Sequence, residues 1–342
     1  MTSHHTQRSR ARFALAGLAL VLSLALAGCS IAEALSLLRP PTATWTPEPT
    51  ATATSTPTAT PTVTLTPTPT STPTPTPEPL RLTLSFDPPQ VEQGHTLLIR
   101  VQANRAIMVS GSLDDQALRF AALPDGAWAV AGVPVTAREG GHPVQLTITD
   151  SLGASVSTTV SAAVLAADFG AESIVIPDDK IGLLSAEASQ ADALRLGAAF
   201  ALLTPQQLWS GSFLQPYDGP VTSPFGMRRT YNDGGASYHA GIDFGGDLGD
   251  PVVAAASGRV VLADALQVRG NTVILDHGRG VFTAYYHLSQ ILVNAGQDVA
   301  QGEQVGLVGN TGLSTGAHLH WELRIGGVPV QPLEWINRTF PQ

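Results

Sequence analysis

Five residues in the last third of the chain combine the types and spacing that metal-assisted chemistry needs: His239, Asp243, His287, His318 and His320. They fall in three short motifs, HAGID (239–243), YYHL (285–288) and HLH (318–320). Imidazole and carboxylate are the ligands that Zn²⁺ takes in catalytic sites, where three protein ligands leave a fourth position open to water. Two histidines beyond three ligands would supply the proton transfer that metal-assisted hydrolysis requires. A structural zinc site would instead close all four positions with protein.

These side chains need strands and a bend to bring them together. In HLHWELR, strand alternation puts His318, His320, Glu322 and Arg324 on one face and Leu319, Trp321 and Leu323 on the other. Histidines two apart then project side by side, so one can bind a metal while its neighbour reaches the water. Residues four apart on a straight strand stand about 13 Å apart, too far to share an ion. HAGID therefore requires a bend, which Gly241, Gly245 and Gly246 permit. The surrounding runs VVAAASGRVVLADAL, NTVILDHG and GVFTAYYHL read as strands and hairpins, with Asp276–Gly280 as a turn.

Upstream, residues 80–165 read as about seven short strands separated by turn signals such as Pro124-Asp125-Gly126 and Gly140-Gly141. That density predicts an immunoglobulin-like β-sandwich, a spacer or wall-binding module. His95 and His142 fall in or beside its turns, where a surface position is expected. Residues 166–215 read as a connector with a helix near 183–203. There Leu183, Leu184, Ala188, Ala191, Leu194, Ala198 and Leu202 make an apolar stripe, and Thr204-Pro205 is the stop.

The N-terminal part carries addressing signals. Arg8, Arg10 and Arg12 precede an apolar run, 13–28, that is too short for a comfortable membrane span of about 20 residues. The run ends in LAGC (26–29), which resembles a bacterial lipobox and implies cleavage after residue 28, lipidation of Cys29 and attachment to a lipid membrane. Residues 29–79 form a Thr/Pro-rich linker, and its stretch 40–79 holds 12 of the 26 prolines. A polyproline-II spacer rising about 3.1 Å per residue would reach on the order of 120 Å. A net charge of −9, with only 13% charged residues, argues against nucleic acid as a partner. Nothing in the sequence points to an oligomeric state.

From about residue 216 to 335 the chain resembles the lysostaphin/LytM-type zinc endopeptidases that cut bacterial peptidoglycan. The resemblance rests on VTSPFGMRR (221–229), HAGIDFGG (239–246), DPVVAAASGRVV (250–261), RGNTVILDHGRGVFTAYYHLS (269–289) and GQDVAQGEQVGLVGNTGLSTGAHLHWELRIGGVPVQP (296–332), all in order. It implies a mainly β chain in which 216–342 form an antiparallel β-sheet metallopeptidase domain with a substrate groove. It makes His239, Asp243 and His320 the ligands of one Zn²⁺, and His287 and His318 the catalytic pair. His318 is then the favoured general base and His287 the oxyanion stabiliser or proton shuttle, with the two roles interchangeable. Glu322 either orients a histidine or stands as a solvated strand residue. His277 is a turn residue without metal duty. Tyr231 and Tyr238 are oxyanion donors or packing residues. The implied function is a membrane-anchored enzyme on the outer face of a bacterial membrane, with peptidoglycan as its partner. The alternatives are a non-catalytic activator of other wall hydrolases and a tethered scaffold that works through its β-sandwich.

Overall fold

A computed structural model describes residues 77–341 apart from Asp233. The signal segment 1–28, Cys29 and the linker up to residue 76 lie outside the described residues. Among the described residues no helix is long and apolar enough to cross a membrane.

The predicted sandwich is present. One sheet orders Leu82–Asp87, Thr96–Ala103, Gly126–Gly132 and Ala121–Leu123; the other orders Gln90–Glu92, Ser155–Leu165, Gly140–Asp150, Ile107–Leu113 and Gln116–Ala117. The run GAWAVAG is apolar throughout, and it is buried on both faces. Ala129 and Ala131 face the sandwich interior, while Trp128 and Val130 join the core of the C-terminal domain. Thr96–Ala103 does the same with Leu97 and Ile99 on one side and Leu98 on the other. The sandwich thus shares a core with the C-terminal domain. Trp335 seals the contact: fully buried, it donates from Nε1 to Thr96 Oγ1 (2.9 Å) and stacks on Phe340 at 4.0 Å. His142 is buried rather than surface-exposed. Its ring sits between Asp114 Oδ2 (2.6 Å) and the Arg138 carbonyl (2.7 Å), partners that compensate for lost water.

The connector starts with strand β1 (Ala171–Ile174), followed by a 3₁₀ turn and helix α1 (Ala186–Phe200). Ser185 caps the helix, accepting from the Ala188 N–H. The expected stripe is displaced around the helix. Leu194 is 70% exposed, and the buried face carries Ala188, Asp192, Leu196 and Ala199. The reason is polar. The Asp192 carboxylate accepts from the backbone N–H groups of Gln267 (2.8 Å), Val268 (2.7 Å) and Arg269 (2.9 Å), which turns that face inward.

The C-terminal domain is built on an eight-stranded sheet. Its strands include β2 (Val221–Ser223), β5 (Ile242–Gly245), β6 (Gly258–Leu266), β7 (Gly270–Gly278), β8 (Val281–Leu288) and β9 (His318–Ile325), in the order β2-β5-β9-β8-β7-β6. A small side sheet orders β1, β3 (Arg228–Tyr231) and β4 (Ala236–Tyr238). On β9 the predicted alternation holds, with Leu319, Trp321 and Leu323 fully buried on the core side.

The β7–β8 hairpin is tighter than expected. Gly278 pairs with Val281, so the loop is Arg279-Gly280 alone, both at positive φ (57° and 77°). His277 therefore lies in a strand, not in the turn, and is fully buried. Its Nδ1 is 2.8 Å from the Ser257 carbonyl and its Nε2 2.7 Å from Thr283 Oγ1. Burial pushes its pKa from 6.5 down to about 4. The unfolded chain binds the proton first, so native stability falls as pH drops from about 6.5 towards about 4. The linked loss is about 3 kcal/mol. Urea unfolding at several pH values should show wild type losing about that much more on acidification than His277→Gln. Parallel losses in the two proteins would contradict the assignment.

Candidate active site

Register brings the first pair together. On the β5–β9 ladder Asp243 stands opposite His320, so carboxylate and imidazole share one rung and one face. His239 enters from the end of β4 through the Ala240-Gly241 bend. A Cβ on Gly241 would lie 2.3 Å from the Trp321 carbonyl oxygen, so only glycine lets the bend press against β9. The backbone of His239 is fixed on both sides. Its N–H donates to the Met227 carbonyl and its carbonyl accepts from Gly226, each at 2.8 Å.

Three donor atoms converge. His239 Nε2 lies 3.0 Å from Asp243 Oδ1 and 3.0 Å from His320 Nδ1, and that Nδ1 is 2.6 Å from Asp243 Oδ1. Neighbouring ligands on a tetrahedral Zn²⁺ stand about 3.3 Å apart, close to this spacing. The remaining atoms of the three side chains are all engaged. His239 Nδ1 donates to the Pro224 carbonyl (2.7 Å), and His320 Nε2 lies 3.1 Å from Glu322 Oε1. Asp243 Oδ2 accepts from Arg229 Nη2 (2.7 Å). Such outer partners fix ring orientation and leave the inner nitrogen lone pairs for a cation. The donor set therefore fits a divalent metal, and zinc among such metals.

The electrostatics suit that donor set. Burial opposes the Asp243 carboxylate, but His320 and His239 beside it hold its pKa well below the usual carboxylate range. Burial lowers the His239 pKa. His320 is raised, because Asp243 and Glu322 flank it closely enough to outweigh its burial. Glu322 is fully buried, which excludes a solvated role. Arg324 Nε donates to its Oε2 (2.6 Å) and Arg269 stands 3.5 Å from Oε1, so the carboxylate stays charged against its burial.

The other two histidines face the same cavity. Their rings stand 4.9 Å apart, and His318 Nε2 is 3.8 Å from Asp243 Oδ1. His287 Nδ1 donates to the Thr311 carbonyl (2.8 Å), and His318 Nδ1 is 2.9 Å from the Gly316 carbonyl. Each ring thus keeps Nε2 as a free lone pair. Burial lowers both pKa values, that of His287 well below 6.5, so both rings are neutral at pH 7. His287 has φ +59°, a left-handed conformation uncommon outside glycine. Its N–H bond to the Arg269 carbonyl (3.0 Å) and the Thr311 contact hold it there.

All five residues singled out by type are thus gathered in one place, and Glu322 lies behind His320. Tyr231 lines the cavity and its hydroxyl meets Ser237 Oγ (3.0 Å), whereas Tyr238 is exposed and lines a different groove. Sequence reasoning missed Arg229, Glu172 and Arg269. Glu172, on β1, accepts from Arg229 Nε and from Ser223 Oγ. A partner 57 residues away leaves no local pattern to find. Arg324 was findable, since strand alternation already placed it beside Glu322.

Residues 237–332 match the model of peptidase family M23. The peptidoglycan DD-endopeptidase ShyA of Vibrio cholerae is 45% identical over 115 residues, 33% of this chain and 27% of that protein. The murein hydrolase activator NlpD of Salmonella dublin is 38% identical over 122 residues, 35% of this chain and 30% of that protein. The chain thus spans under a third of the length of these relatives. A crystal structure of a putative M23 peptidase from Pseudomonas aeruginosa superposes with a TM-score of 0.51 at 27% identity, covering 68% of this chain and 88% of that one. Its likeness extends well beyond residues 237–332. Residues 237–332 of this chain are thus a peptidase family M23 domain.

Proposed function

We propose that this chain is a zinc metalloendopeptidase that hydrolyses peptide bonds of bacterial peptidoglycan, in the stem peptide or the cross-bridge. It acts from the outer face of a membrane to which lipidated Cys29 and the 29–79 linker tether it. The carrying observation is three convergent donor atoms, from His239, Asp243 and His320, at a cavity that Asp243 and His320 line together with two neutral imidazoles, His287 and His318, whose Nε2 atoms are free. The likeness to a peptidoglycan DD-endopeptidase supports the substrate class.

Bound zinc would supply Lewis acidity towards the scissile carbonyl and an attacking water. The chain's own groups do the rest. His318 Nε2 takes the proton of the attacking water and later gives it to the leaving amine. His287, its Nδ1–H committed to Thr311, also offers Nε2 as an acceptor and becomes a donor only after protonation. Arg229 keeps the Asp243 carboxylate turned inward. The Glu322 carboxylate does the same for the His320 ring.

The likeness to a murein hydrolase activator favours a second reading, a wall-binding activator without chemistry of its own. Full-length protein incubated with peptidoglycan sacculi separates the two. Chelator-sensitive release of peptide-cleaved fragments is expected, and no release despite bound zinc would favour the activator. His320→Ala should lose both zinc and activity. His318→Ala should keep zinc, measured by elemental analysis, and lose about 10²–10⁴-fold in rate. Full hydrolysis by the His320 variant would sink the assignment. Because burial lowers His287 and His318, the acid limb of kcat/KM should fall below pH 6.5, with activity lost as pH drops and those rings protonate. An acid limb above that value would remove both from the proton-accepting role.

A further inference from the structure

Helix α1 carries an aspartate where packing alone would favour an apolar side chain. Asp192 is 5% exposed and shares the buried helix face with Ala188, Leu196 and Ala199. The β6–β7 rung Leu266–Gly270 closes a loop of three residues, and the Asp192 carboxylate accepts the N–H of each of them, Gln267, Val268 and Arg269. Water would satisfy those donors equally well at an open hairpin loop. A buried carboxylate on a helix, by contrast, costs desolvation that only full hydrogen bonding offsets. What the arrangement adds is therefore a fixed loop.

Both holds on His287 start from that loop. The Arg269 carbonyl accepts the His287 N–H (3.0 Å) and so keeps the residue at φ +59°. A left-handed residue other than glycine persists only where its surroundings over-determine it. The Val268 carbonyl accepts the Leu313 N–H (2.8 Å), which docks the 310–314 loop, and the Thr311 carbonyl of that loop takes the His287 Nδ1–H (2.8 Å). The two loops touch backbone to backbone. A Cβ on Gly270 would lie 2.5 Å from the Thr311 carbonyl oxygen, and one on Gly312 would lie 2.4 Å from the Gly270 nitrogen, so movement of one loop displaces the other. The connector ahead of α1 meets the same loop from its far side. Ile176 donates to Asn232 Oδ1 (3.0 Å) and lines the cavity with Ile174, and Lys180 Nζ then donates to Ser314 O (2.6 Å).

We propose that Asp192 is a positioning residue for His287, acting through the β6–β7 loop to hold both its backbone and its ring tautomer. With the loop fixed, the His287 Nδ1–H stays on Thr311, and Nε2 remains a lone pair beside His318, whose ring centre is 4.9 Å away. With the loop released, the strained φ of His287 relaxes and the ring loses its carbonyl acceptor. The metal-ligand set of His239, Asp243 and His320 is held by other groups, Pro224, Arg229 and Glu322, and stays in place. Asp192 precedes the matched segment 237–332, so a domain cut at the start of that segment lacks this hold. The consequence for hydrolysis rests on the peptidase reading, whereas the hold on His287 is measured without substrate.

The test uses full-length, zinc-loaded protein carrying nitrogen-labelled histidine, whose ring nitrogens report the tautomer by NMR. The His287 signals are assigned by their absence from His287→Gln. Wild type should show a single Nδ1–H form. Asp192→Asn keeps the shape but turns an acceptor into a donor. It should show averaged ring nitrogens, and its His287 amide should exchange at least about tenfold faster, the scale of one lost charge-assisted hydrogen bond. Leu196→Ala weakens the same helix face without touching the loop and should leave the tautomer fixed. A fixed tautomer in Asp192→Asn, or averaging in both variants, would overturn the proposal. Wild type alone supplies a second check: the N–H groups of Val268, Arg269, Leu313 and His287 should exchange as one unit. Opening of His287 by itself would break the coupling. Zinc content should match in all proteins, and loss of zinc from Asp192→Asn would move the effect to the ligands and sink the assignment to His287. In sacculus digestion kcat should fall at least about tenfold in Asp192→Asn, and an averaged tautomer with unchanged kcat would remove the role in hydrolysis. An averaged tautomer in that variant without hydrolysis by any of the proteins would uphold the positioning and count against the peptidase reading instead.

Discussion

The Asp243 carboxylate is the group on which the site depends. One oxygen is shared by two imidazole nitrogens, of His239 and His320, and the other is held by Arg229. A buried carboxylate without such partners costs several kcal/mol, so its surroundings are constrained rather than incidental. The β5–β9 register is one consequence, because a one-residue slip would replace Asp243 with its neighbour and turn the carboxylate to the other face. The bend at Gly241 is another, since His239 reaches the same oxygen only when the chain presses against the Trp321 carbonyl. The Glu172–Arg229 pair is a third, because it holds the guanidinium that faces Asp243.

Four imidazoles crowd this small volume, and each has its proton assigned by an acceptor. Backbone carbonyls of Pro224, Thr311 and Gly316 take Nδ1–H from His239, His287 and His318, while the Glu322 carboxylate faces Nε2 of His320. The inverted tautomer of His320 is what turns its Nδ1 towards Asp243. Carbonyls accept and do not donate, so this arrangement settles which nitrogen carries a lone pair. Around it, Glu172, Asp243 and Glu322 are matched by Arg229, Arg269 and Arg324. The rigid base for this polar cluster is a core shared with the sandwich. Strands buried on both faces and the Trp335–Thr96 bond tie the two sheets' packing together.

The connector contributes more than length. Asp192 on α1 gathers the N–H groups of Gln267, Val268 and Arg269, and the Arg269 carbonyl in turn fixes the N–H of His287. Glu172 on β1 reaches Arg229. Both residues lie outside the segment 237–332 that the family model matches, yet each stands one contact away from the backbone or side chain of a site residue. The environment of the site is therefore completed by residues outside that matched segment.

The sequence by itself determined the chemistry-bearing residues and the local geometry of the strand that carries two of them. HLHWELR alternates so strictly that its two faces could be read directly, and HAGID required a bend because straight-strand distances are too long. The mainly β character and the two-sheet sandwich were legible for the same reason, since period-two patterning and turn residues act over short range. Tertiary structure decided what short-range patterns cannot encode. The helix near 190 was foreseen, but its buried face was not, because a buried Asp192 serving three distant N–H groups outweighed an apolar stripe. His277 moved from turn to core because the hairpin closed in two residues instead of five. Arg229, Glu172 and the crossing of the site by Ile174, Ile176 and Lys180 depend on contacts between residues 56 to 134 positions apart, and only the folded chain brings such residues within hydrogen-bonding distance.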